Sequence, residues 1–243
     1  MSNPLSPWTG AGRLLYRAGS ALCVLGALLG SAGSYAQAAP AVQAQVQQQE
    51  PAAAAAAAQD LARFAKHHQK EHAAALPKGF PLALDGVADL ARLRLGRGFA
   101  VYTVDPADLA TGNELSAWAK PTGQWRFVVR AGSRPVGLVT VEQAGGQWRA
   151  VSYGAAALAT EVDAAMRQHG NADRSNLRFI RIYQAQSDFL EVVSAADGRA
   201  RLAPLVSARA SLHMPQRDEL IEQGDVLPSL RAAVAANLAD FQP

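Results

Sequence analysis

Residues 125–153, WRFVVRAGSRPVGLVTVEQAGGQWRAVSY, decide the fold. Trp125, Phe127 and Val129 alternate with Arg126, Val128 and Arg130, the period-two pattern of a strand with one face in a core. Ala131-Gly132-Ser133 supplies a turn, residues 135–142 a second strand, Gly145-Gly146 a second turn, and residues 147–153 a third strand. Strands of this length joined by short glycine turns form an antiparallel meander. Pro135 lacks the N–H that a ladder needs, which confines it to a strand start or an edge. By the same alternation Trp125 and Trp148 anchor the core.

Upstream of the meander, residues 83–95 read as a helix opened by Asp85 and closed by Gly96, with Leu84, Val87, Leu90 and Ala91 on one side. Residues 98–104 (GFAVYTV) have strand composition, Asp105-Pro106 begins a short helical piece, and residues 113–123 read as loop. Downstream, residues 155–169 form an amphipathic helix whose face carries Leu158, Val162, Ala165 and Met166, stopped by Gly170-Asn171. Residues 177–184 and 188–194 read as strands, and Asp197-Gly198 turns the chain into a further strand over 199–206. The predicted fold class is α+β: two helix-plus-antiparallel-meander units, roughly αβ-βββ then αβββ, in one domain over residues 78–212. The order suits a tandem pair with each helix packed on its own sheet. It loosely resembles small exported helix-plus-meander modules of the PepSY and cystatin-like kind, without a diagnostic motif of either.

The domain is preceded by a leader. Arg13 and Arg17 are followed by the uncharged apolar run Ala21–Leu29 and by two small-x-small sites ending at Ala36 and Ala38. A tight apolar run of about 7–15 residues is a signal-peptide length, short of the about 20 that span a bilayer. Residues 1–38 are therefore read as a cleavable signal peptide. The expected location is exported, the periplasm ahead of secretion, with no membrane span after cleavage. Residues 39–76 follow as an Ala/Gln/Pro-rich stalk, partly helical from Ala52 to Ala75, with so thin an apolar face that a solvated spacer is expected. Residues 213–243 carry an acidic segment and a helix opened by Pro228 and Ser229, with Leu230, Val234 and Leu238 on the face expected to dock on the sheet.

Charge and cysteine exclude several functions. The formal charge is +3, and removing Arg13 and Arg17 with the leader leaves 21 basic against 20 acidic residues. That balance supplies no field for nucleic acid. The single cysteine, Cys23, lies in the leader, so no disulfide or thiol chemistry is expected of the exported chain. There is no G-x-S-x-G elbow, Walker loop or G-x-G-x-x-G, and no cofactor is expected. His169 falls in the last turn of its helix, where it complements the dipole.

Two groups of side chains remain. His67-His68-Gln69-Lys70-Glu71-His72 lies on the stalk helix, where residues four apart share a face, so His68 and His72 form a candidate metal clamp. The string also fits H-x-x-E-H, but the segment offers no cleft around it. On the meander, Arg126 and Arg130 share a strand face, and with Arg149 they would make an anion-binding contact patch for a ligand or partner. The expected function is a non-enzymatic module binding a protein or cell-envelope component. The alternatives are an exported hydrolase or metal-dependent enzyme, and metal capture by residues 67–72.

Overall fold

In the computed structural model, which describes residues 34–215 and 219–240, the alternating segments form eight strands. They are β1 (Leu93–Thr103), β2 (Lys120–Ala131), β3 (Arg134–Ala144), β4 (Gln147–Gly154), β5 (Leu177–Ile182), β6 (Ser187–Val193), β7 (Ala200–Pro204) and the short β8 (Ile221–Glu222). The helices are α1 (Ser34–Glu71), α2 (Pro106–Thr111), α3 (Leu115–Trp118), α4 (Ala156–His169), α5 (Val206–Ser211) and α6 (Gln223–Asp240). The fold is α+β, as the sequence predicts. Of the predicted signal peptide, residues 1–33 lie outside the described residues, and residues 34–38 fall in α1.

The meander forms as its glycines dictate. Gly145 and Gly146 both hold positive φ, 59° and 78°, the backbone of a tight hairpin between β3 and β4. Pro135 stands at the start of β3 opposite Arg130, before β4 reaches its neighbour at Leu138. Asp105 caps α2 by accepting the Ala107 N–H at 2.8 Å, and Pro106 takes the first helical position.

All eight strands join one sheet in the order β4-β3-β2-β1-β5-β6-β7-β8. Every join is antiparallel except β1–β5, where only Val101↔Phe179 and Tyr102↔Ile180 pair in parallel. The two units thus share one sheet. Their helices cover opposite faces and do not each sit on a separate meander. One core lies under α1 and α6 and contains Trp125, Phe127, Val139, Ile180, Phe189 and Leu202. The other lies under α4 and contains Phe99, Val128, Leu138, Phe179 and Leu190. Each large apolar side chain buried this way contributes about 1.5–3 kcal/mol.

Four local expectations are corrected. Residues 83–95 are not a helix: only a 3₁₀ stretch, Val87–Arg92, forms, and β1 begins at Leu93. Pairing of Leu93 with Ala131 and Leu95 with Val129 draws these residues into the sheet, and the Asp85 carboxylate meets Arg134 at 2.8 Å. Residues 113–123 hold α3 and the start of β2, because Leu115 has a buried seat in the core. The tail helix starts at Gln223, ahead of Pro228, since Val226 and Leu227 are buried and the Gln223 side chain is tied to Ser116 and Ala200. Its docking face holds Leu230 and Val234, while Leu238 is exposed.

The largest correction concerns the spacer. α1 lies on the sheet, with Val46, Ala53, Ala57 and Leu61 buried along one face. Phe64 stacks on Tyr153 of β4 at 4.2 Å, and Asp60 accepts the Ala150 N–H at 2.7 Å. Among the described residues no helix is long and apolar enough to cross a membrane.

Candidate functional site

On β2, alternation puts Arg126, Val128 and Arg130 on the face opposite Trp125 and Phe127, the face that α4 covers at Val128. Arg126 sits between Thr140 of β3 and Phe99 of β1. Across β1, Phe179 of β5 packs on Phe99 with ring centroids 4.8 Å apart, and Arg181 follows two residues later on the same face. The Arg126 guanidinium carbon stands 5.8 Å from the Phe179 ring centroid, and that of Arg181 lies 5.4 Å from the Tyr183 ring. Both cations thus stand within cation–π distance of an aromatic ring.

Among the described residues, Arg181 alone of these two cations has a carboxylate partner. Asp188, buried on β6 opposite Arg181, accepts from its Nη1 at 3.2 and 3.3 Å and from Ser207 Oγ at 2.9 Å. Arg126 has no ion-pair partner among the described residues, and its Nε, like that of Arg181, is buried without a hydrogen bond. Burial first, and then the like charge of Arg181, lowers the Arg126 pKa from its ordinary value. Two guanidinium groups facing one carboxylate leave a local excess of one positive charge, with unused N–H donors beside it. A carboxylate or phosphate oxygen is the complement of such a group.

The other arginines of the expected patch are engaged elsewhere. Arg130 pairs with Asp163 at 2.5 Å and donates to Ser133 O, fastening α4 to β2. Arg149 is exposed on edge strand β4, opposite Glu142 and bonded to Gln147 at 3.1 Å. A bulge between Thr140 and Val141 separates its row from the Arg126 row. Arg126 is therefore gathered with Arg181, and not with Arg130 or Arg149. Arg181 and Asp188 escape the sequence because only the long-range β1–β5 join brings them to β2. The available signal was the paired Arg178 and Arg181 in LRFIRI, which alternation sends to opposite faces.

At the end of α1, His68 and His72 stack with ring centroids 5.4 Å apart and 8° between planes. His67 and Glu71 stand with them. Burial first, and then His67, lowers the His68 pKa from the ordinary histidine value.

A separate cavity of about 150 Å³ between α4, β7 and α5 is lined by Glu161, His169, Arg209 and Glu219 among others. Its histidine and carboxylates are the residue types of a hydrolytic site. Here Glu161 accepts the Val206 N–H at 2.8 Å and Arg209 Nη2 at 2.5 Å, so it caps α5 and holds an arginine. Burial lowers the His169 pKa from the ordinary value.

Comparison with known protein families, curated proteins and solved structures returns no match.

Proposed function

We propose that the chain is an exported, non-enzymatic module that binds a protein or cell-envelope component by an anionic group seated on Arg126 and Arg181. The periplasm is its place of action, with secretion second, on the strength of the leader alone. The observation that carries the binding reading is the Arg126 guanidinium, half-buried over Phe179 and lacking an ion-pair partner among the described residues. A buried cation without a counter-charge is costly, and a ligand carboxylate or phosphate offsets that cost. The near-even overall charge keeps the attraction local, which suits one anionic group and not a polyanion such as nucleic acid.

Immobilised protein tests this in envelope extract. The native chain should retain a component that rising salt elutes, Arg126→Gln should retain none above background, and Arg149→Gln should behave as native. Equal retention by Arg126→Gln would remove the sheet face as the binding surface.

A further inference from the structure

Glu71 falls between two histidines on the wheel of α1. At 100° per residue it lies about 40° from His67 and about 60° from His68, so both rings flank its carboxylate. Glu71 Oε2 is 2.9 Å from His67 Nε2 and 3.6 Å from His68 Nδ1. The three donor atoms lie within 4.8 Å of one another. His72 Nε2 approaches the same oxygen to 3.6 Å, but its ring lies parallel to that of His68 and its donor stands outside the group.

We propose that His67 Nε2, His68 Nδ1 and a Glu71 carboxylate oxygen bind one Zn²⁺ ion at the C-terminal end of α1, with the fourth position open to solvent. Around a tetrahedral zinc with ligands at about 2.0–2.2 Å, donor atoms are separated by about 3.3–3.6 Å. The observed separations from Glu71 bracket that spacing, and with all donors within 4.8 Å the site closes when the two imidazole rings turn toward each other. Two neutral imidazoles and one carboxylate form a donor set that suits zinc.

Two further observations separate this group from an ordinary histidine-rich surface. Among the described residues His68 Nδ1, a buried atom, has no hydrogen-bond partner, although it faces the Glu71 oxygen. A buried ring nitrogen left unpaired costs free energy that a bound metal recovers. The His68 ring is also held in place, edge-on to Phe64 at 4.4 Å and to Phe80 at 5.1 Å. Its direction is therefore fixed before any ion arrives. His67 and Glu71 keep 68% and 51% of their side-chain surface exposed, which gives an ion direct entry and exit. The site is thus one for exchangeable capture. The pair expected from four-residue spacing, His68 and His72, gives way to the set in which Glu71 is a ligand.

Calorimetric titration of the untagged full chain with ZnCl₂ at pH 7.5 tests the assignment. One ion should bind per chain, and His67→Ala and Glu71→Gln should each weaken binding by about tenfold or more, about 1.4 kcal/mol or above. Both residues are largely exposed, so helix content by circular dichroism should stay native in these variants. His72→Ala should leave the affinity within about threefold of native. Absence of saturable binding, undiminished binding in both ligand variants, or a loss in His72→Ala equal to that in Glu71→Gln would each overturn it.

Discussion

Glu191 has no exposed surface, and a hydrogen-bond network explains how a carboxylate sits there. Arg178 reaches it with Nε and, at 2.9 Å, with Nη2, and Ser116 Oγ also donates to it. Gln223 completes the group, donating to Ser116 Oγ at 2.6 Å and accepting the Ser116 N–H at 3.0 Å. Arg178 lies over the Tyr102 ring at 5.5 Å. The network pins α3 and the start of α6 to the sheet. Its polar atoms are consumed in doing so, which makes it structural. Glu191→Gln would leave Arg178 without its counter-charge and should cost about 3–5 kcal/mol in urea unfolding. The joint replacement Arg178→Met with Glu191→Leu should recover much of that loss. Neither residue stands out in the sequence: β6 is buried on both faces, so its acid falls among apolar neighbours that alternation cannot sort. Arg126 was legible, because β2 alternates and its turns are local.

The elements show where sequence reading reaches its limit. Hairpins announce themselves within a few residues, and β2 to β4 follow their glycines. α1 does not announce itself. Val46, Ala53, Ala57 and Leu61 recur at helical spacing and are buried, but alanines also cover the opposite side of the helix. Patterning needs contrast between faces, and a polyalanine helix has little. The burial nevertheless matters: small side chains let the helix backbone lie close to the sheet. Ala57 is fully buried and Ala58 exposed, which gives a matched test. Ala57→Glu should cost about 3 kcal/mol or more through an unpaired buried charge, whereas Ala58→Glu should stay within about 0.5 kcal/mol of native. Equal effects in thermal unfolding would return α1 to the status of a spacer. The β1–β5 pairing was hidden for a different reason. It rests on two residue pairs between strands far apart in the chain, and nothing local encodes it.

At the scale of the whole molecule, that junction creates the candidate surface. It sets the first strand of one unit, β1, beside the first strand of the next, β5, and so brings Arg126 of β2 within the field of Arg181 on β5. Helices cover much of both sheet faces, yet the Arg181 side chain remains 30% exposed beside its buried aspartate. A positively charged spot of this kind, set in a protein of nearly balanced charge, would favour one anionic group through short-range contacts, as the proposed binding function requires. The most direct measurement is a titration of isotope-labelled protein with inorganic phosphate, followed by amide chemical shifts. Saturable shifts should concentrate at Arg126, Thr140 and residues 179–183 and vanish in Arg126→Gln. Shifts scattered over the surface, or the same localised shifts in Arg126→Gln, would contradict the account.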